Sequence, residues 1–238
     1  MAEPTSALIV GVGEGLGAAI ARRFAAGGLK VALAARRRDV VERLAAGIPG
    51  AHGYAVDARD EAATIALLDR VEADLGPLAA AVYNPGANTR GSILDFDATL
   101  YRKVWELCCF GGFLLGREAA RRMVPRGQGT ILFTGATASL RGGNGYAAFA
   151  GGKFALRALA QSMARELGPK GIHVGHVVID GVIDTPRTRE RFGDAFKTQT
   201  PDAQLKVDDI AEAYWQLHVQ KRSAWTLELD LRPWVEKF

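Results

Sequence analysis

Three groups of residues in this chain have types and spacings suited to chemistry. Gly11-Val12-Gly13-Glu14-Gly15-Leu16-Gly17 follows the apolar run Ala7-Leu8-Ile9-Val10 and leads directly into the helix-forming Ala18-Ala19-Ile20-Ala21. A strand, a glycine turn and a helix in that order let the backbone approach a pyrophosphate and aim the helix's open N–H groups at it. The generic GxGxxG spacing fails because Leu16 takes the third glycine's place, whereas GxxxGxG fits as Gly11, Gly15 and Gly17. Next, Ala35-Arg36-Arg37-Arg38 closes the second β-like run. An acid there would bond the adenosine ribose of NAD and repel the 2′-phosphate of NADP; Arg36 offers that phosphate a guanidinium instead. NADP is expected over NAD, with Glu14 in the glycine turn arguing the other way. Last, Lys153 stands four residues after Phe149, so ammonium and phenyl share one helix face. A phenyl ring can pack against a ligand but has no proton to exchange.

The elements that must position these groups follow from periodicity. Short aliphatic runs at 7–10, 30–35, 53–56, 79–83, 130–134, 173–179 and 225–229 alternate with helix-periodic stretches at 16–26, 39–46, 61–75, 100–123, 146–167 and 208–220. This alternation predicts an α/β chain, a Rossmann-type doubly wound parallel seven-stranded sheet with helices on both faces, in one domain over 1–238. The 238 residues, 48% hydrophobic, suffice for a full core. Adjacent Cys108 and Cys109 cannot build a disulfide framework. With no basic, apolar leader at the N-terminus and no apolar run near ~20 residues, a cytoplasmic protein without a membrane span is expected. The net charge of +4 is too mild to point to nucleic acid, and no metal site is expected.

Further segments match in order. Tyr54-Ala55-Val56-Asp57-Ala58 closes the third strand, and Tyr83-Asn84-Pro85-Gly86 the fourth. Gly129-Thr130-Ile131-Leu132-Phe133-Thr134 forms the fifth, and Gly181-Val182-Ile183-Asp184-Thr185-Pro186 follows the sixth, with Asp180 where a proline is usual. With the glycine turn, these resemble the short-chain dehydrogenase/reductase family from about residue 7 to residue 231. The resemblance implies an oxidoreductase whose dinucleotide contacts Gly11, Gly15, Leu16, Gly17, Arg36, Asp57, Ala58, Asn84, Gly86, Lys153, Ile183 and Thr185. It implies a substrate lid over 186–207, and a homodimer or homotetramer built through the long helices 100–123 and 146–167, with Trp225 and Trp234 as further contacts.

The same resemblance locates a catalytic tetrad of asparagine, serine, tyrosine and lysine. Cys108 falls at the asparagine, Ala136 at the serine and Phe149 at the tyrosine; only Lys153 keeps the family's group. Losing a general acid costs typically ~10²–10⁴-fold without forbidding hydride transfer. Activity would then need either a substitute donor (Thr137, Ser139, Tyr146, Cys108, Asp180 or His176) or a substrate that asks little of an acid, such as an activated alkene, imine or quinone. The alternative is a catalytically silent NADP-binding sensor or scaffold.

Overall fold

Seven runs pair into one parallel sheet, β1 (Ser6–Val10), β2 (Lys30–Ala35), β3 (Ala51–Ala55), β4 (Leu78–Tyr83), β5 (Gly129–Thr134), β6 (Ile172–Ile179) and, after the short β7 (Ile183–Asp184) and β8 (Leu205–Lys206), β9 (Glu228–Leu231). The computed structural model describes residues 3, 5–194 and 200–236. The strand order is β3-β2-β1-β4-β5-β6-β9, so the winding reverses between β1 and β4 and opens a crevice at their carboxyl ends. Helices α1 (Leu16–Ala26), α2 (Arg38–Ala46), α3 (Glu61–Leu75), α4 (Ala98–Trp105), α5 (Gly111–Met123), α6 (Ala147–Leu167), α7 (Pro186–Phe192) and α8 (Val207–His218) fill the crossovers.

Strand alternation divides the core into two layers. Leu8, Val10, Tyr83 and Phe133 pack on Leu68, Leu115 and Leu156 of α3, α5 and α6. Ile9, Leu33 and Leu132 face Ile20 and Phe24 of α1, Val41 of α2 and Tyr214 of α8. Every residue of β1 and of β6 is buried, as strands covered on both faces must be.

Two predicted elements are corrected. The single helix expected at 100–123 starts at Ala98, where Asp97 accepts from the Leu100 N–H at 2.7 Å, and is broken by a π-turn over Glu106–Phe110. The cause is lateral: the buried Tyr83 hydroxyl donates to the Leu107 carbonyl at 2.5 Å, drawing it out of the helical ladder. The last strand is Glu228–Leu231 rather than 225–229. Trp225 instead stacks on His173 with ring centroids 5.0 Å apart, and the Thr226 N–H is taken by the Gln220 side chain at 2.8 Å. The expected lid region holds α7 and β8, β8 pairing with β7; its residues 195–199 lie outside the described residues. Among the described residues no helix is long and apolar enough to cross a membrane.

Candidate active site

At the carboxyl end of β1 the glycines stand where backbone crowding demands them. Gly11 has φ +87°, and a Cβ there would lie 2.6 Å from the Pro85 nitrogen. At Gly17 it would lie 2.8 Å from Val12 Cα, and at Gly15 2.8 Å from Thr185 Cγ2. Gly13 faces open space. Helix α1 starts at Leu16 with no side chain capping its first N–H groups, leaving donors for an anion. The cradle therefore fits a dinucleotide pyrophosphate. Asn84 braces it: the side-chain amide donates to the Gly11 carbonyl at 3.0 Å and accepts from the Thr134 hydroxyl at 3.1 Å.

Charges gather at the ends of β2 and β3. Arg36 is exposed just beyond Ala35. Asp57 receives both arms of Arg59, at 3.0 and 2.6 Å, and these bonds, with Arg36 adding its field, hold its carboxyl below the usual range. Ala58 is buried behind it. Glu14 is bound by Arg43 at 2.7 Å. Sequence reasoning missed Arg43 and Arg59, although Arg59 lies only two residues from Asp57 and is legible as a partner.

Near the ends of β4 and β5, Lys153 and Phe149 stand beside Gly86, and Cys108 packs with Phe149. Lys153 is 2% exposed; its ammonium donates to the Thr134 carbonyl at 2.7 Å and the Pro85 carbonyl at 3.2 Å, and burial lowers its pKa. A Cβ on Gly86 would come within 3.5 Å of Lys153 Nζ and 3.9 Å of the Phe149 ring. Phe149 packs with Val104, Cys108, Ala148, Ala87 and Phe96, so its surroundings are apolar. Cys108 is fully buried in the π-turn, close enough to α6 that a Cβ on Gly152 would sit 2.6 Å from its own Cβ. Ala136 is extended and its N–H donates to Ser139 Oγ at 3.2 Å. Ile183 lies in β7, and Thr185 caps α7 by accepting from the Thr188 N–H at 3.2 Å while facing Gly15.

The six candidate donors separate. Thr137 Oγ1 donates to Asp180 Oδ1 at 2.6 Å. Ser139 Oγ lies 3.4 Å from His176 Nε2, and His176 Nδ1 lies 3.1 Å from Glu228 Oε2. Burial opposes the charge of Glu228, but the Arg157 fork at 2.6 and 2.7 Å holds it ionised, so Nδ1 is the donating nitrogen and Nε2 accepts from Ser139. Burial depresses the His176 pKa to about 4, keeping the ring neutral. Tyr146 sits at the start of α6 under the Arg90 guanidinium, 5.7 Å from its ring centroid, and Cys108 has no opening to the crevice. The Glu228 contribution was not legible in the sequence. Among the described residues no three His, Cys, Asp or Glu side chains group to hold a metal.

The family model described as short chain dehydrogenase matches residues 5–195. The chain belongs to the short-chain dehydrogenase/reductase family. A solved short-chain dehydrogenase from Rhodopseudomonas palustris is 43% identical, with a TM-score of 0.82 over 97% of this chain and 99% of that one. Among curated members of the family, 2-(S)-hydroxypropyl-CoM dehydrogenase 3 of Xanthobacter autotrophicus is 32% identical over 221 residues, covering 86% of each chain. A second Xanthobacter protein, named inactive 2-(S)-hydroxypropyl-CoM dehydrogenase 2, is also 32% identical, over 81% of this chain and 82% of its own length. Family members of this kind are oxidoreductases that bind a nicotinamide dinucleotide.

Proposed function

We propose that this chain is an NADP(H)-dependent oxidoreductase with three of the four tetrad groups replaced, acting on a small carbonyl, alkene, imine or quinone in the cytoplasm. One observation carries the cofactor choice: Arg36 stands exposed after a strand with no terminal acid, while the opposing carboxylate, Glu14, is already engaged by Arg43. A paired Glu14 repels a 2′-phosphate less than a lone one would, which removes the main argument for NAD. When bound, the nicotinamide would supply or accept a hydride. The glycine turn and the α1 N-terminus would hold the pyrophosphate, Arg36 the 2′-phosphate, Asp57 the adenine side, and Lys153 the nicotinamide ribose. Asn84 and Gly86 would keep the β4 turn beside that ribose, and Ile183 and Thr185 would face the nicotinamide side. Phe149, Cys108 and Ala136 would exclude water and move no proton.

The region 186–207 is the proposed substrate lid of a single domain, and Leu100, Tyr101, Trp105, Phe113 and Phe154, all exposed, form the proposed face of a homodimer or homotetramer. Separate titrations with NADPH and NADH, followed by NADPH oxidation against ketones, enones, imines and quinones, test the reading. NADPH should bind about tenfold or more tightly than NADH, as expected for one added charge-assisted contact. Equal affinity would overturn the cofactor choice. Tight binding with no turnover of any of the four classes would favour the silent sensor or scaffold, a reading that the apolar setting of Phe149 supports.

A further inference from the structure

We propose that Arg43 is a second cation for the adenosine 2′-phosphate, aimed by its bond to Glu14, so that this phosphate is read by one arginine at the end of β2 and by another on α2. The inference rests on the reading of the chain as NADP(H)-dependent. The Gly11 and Val12 N–H groups both bond the Ala34 carbonyl, at 2.8 and 3.2 Å, which ties the glycine turn carrying Glu14 to the end of β2, two residues before Arg36. In a doubly wound sheet the adenosine ribose 2′ position lies at this strand end. Helix α2 begins directly afterwards, at Arg38, and Arg43 reaches back from its second turn to Glu14 Oε1 at 2.7 Å. Its guanidinium therefore ends on the glycine turn, next to the strand end that carries Arg36.

The direction of the bond separates Arg43 from an ordinary helix-surface charge. Asp39 stands one turn before it, at the i, i+4 spacing where an acid and a base usually pair on a helix, and Arg38 uses that spacing with Glu42 at 3.3 Å. Arg43 instead makes its short bond to a residue 29 positions away. As a clip between turn and helix the pair would do little for the fold, because the two side chains are 59% and 54% exposed and pairs in that setting are nearly neutral in stability. The same exposure leaves the guanidinium open to an anion that arrives from solvent.

One guanidinium nitrogen, Nη2, is used on Glu14. A guanidinium carries five N–H donors in a planar fork, so another edge of Arg43 is free to take phosphate oxygens while the Glu14 bond persists. A 2′-phosphate monoester holds a charge of roughly −1.5 to −2 near neutral pH, more than the carboxylate with which it would share the arginine. Glu14, an obstacle to NADP when taken alone, becomes the group that aims a cation at it.

The full chain is titrated with adenosine 2′,5′-bisphosphate and with 5′-AMP, which differ only in the 2′-phosphate, and then with NADPH and NADH, by calorimetry. Arg43→Ala in a Glu14→Gln background isolates the contact, because the carboxylate that Arg43 would otherwise neutralise is gone. There it should weaken the bisphosphate and NADPH about tenfold, the worth of one charge-assisted contact, and leave 5′-AMP and NADH within about twofold. Arg43→Ala alone should lose more, since Glu14 then faces the phosphate without its partner. Melting temperatures within about 3 °C of the parent would show that a contact and not the fold has been lost. If Arg43→Ala is silent towards the bisphosphate in the Glu14→Gln background, Arg43 only neutralises Glu14 and the proposal falls, with NADP binding through Arg36 left standing. Equal weakening of the bisphosphate and 5′-AMP makes Arg43 a brace of the glycine turn and likewise overturns it. A parent that binds the bisphosphate no tighter than 5′-AMP, and NADPH no tighter than NADH, takes down the cofactor reading and the proposal together.

Discussion

Around the ends of β1, β2 and β3 the crevice is bounded by glycines and paired charges, whereas around the ends of β4, β5 and β6 stand Phe149, Ala136 and a desolvated lysine, with Cys108 buried behind Phe149. In the first region the backbone dictates residue type: a methyl group at Gly11, Gly15 or Gly17 would stand under 3 Å from its neighbours. In the second the polar atoms lie beside the positions 108, 136 and 149 rather than at them, on Thr137, Ser139, His176 and Asp180. Under the proposed function, holding a dinucleotide and moving a proton would therefore be separable in this chain. The first would rest on main-chain geometry and the second on side chains.

The sharpest test of that separation restores the missing groups. Phe149→Tyr combined with Ala136→Ser should raise ketone reduction by roughly 10²–10⁴-fold with NADPH affinity unchanged, read as kcat against the NADPH Kd. A gain in affinity without a gain in kcat would show that the two regions are coupled. The opposite perturbation is Gly11→Ala, which forces a Cβ against Pro85 at positive φ. Overpacking of about 3 kcal/mol corresponds to a loss of about 10²-fold in NADPH binding, measurable by fluorescence titration.

Acid should loosen the protein through its buried histidines. His176 and His218 have folded values of about 4, below the usual 6.5, because burial penalises the imidazolium. The unfolded chain then binds more protons between these values, so the contribution is complete above pH 6.5 and is lost as the pH falls towards 4. Each histidine accounts for about 3 kcal/mol over that window. The melting temperature should fall steeply below pH 6.5, and His176→Gln should flatten part of the slope. The smallest effect belongs to Arg36→Ala: NADPH binding should weaken about tenfold and NADH binding should stay the same, since only one exposed charge is removed.

What the sequence made legible was local. Strand 30–35 and helices 16–26 and 61–75 coincide with the structure because glycine, Asp60 and the apolar periodicity mark their ends within a few residues. The GxxxGxG spacing likewise reads directly as a turn. The pairings that give the site its character join residues far apart in the chain: Arg43 with Glu14, Thr137 with Asp180, Glu228 with His176 and Arg157. No periodicity announces these, because they depend on which strands become neighbours. The last strand was misplaced for a similar reason, since the alternation beginning at Trp225 serves a stacking contact with His173 rather than the ladder.

The π-turn at Glu106–Phe110 has a consequence for the chain's tolerance of insertions and deletions. A π-turn is a helix carrying one surplus residue, and each residue of an α-helix turns the helix by about 100°. The π-turn absorbs that residue, so excising one there would heal the helix and keep Val104 in the cluster with Phe149 and Gly111 and Gly112 against Tyr83 and Leu156. A deletion elsewhere in α4 or α5 has no such slack and turns one side of the helix by about 100° against the other. The segment is thus a joint at which the residue count can change by one, whereas in the regular helix beside it a single-residue deletion rewrites a whole face.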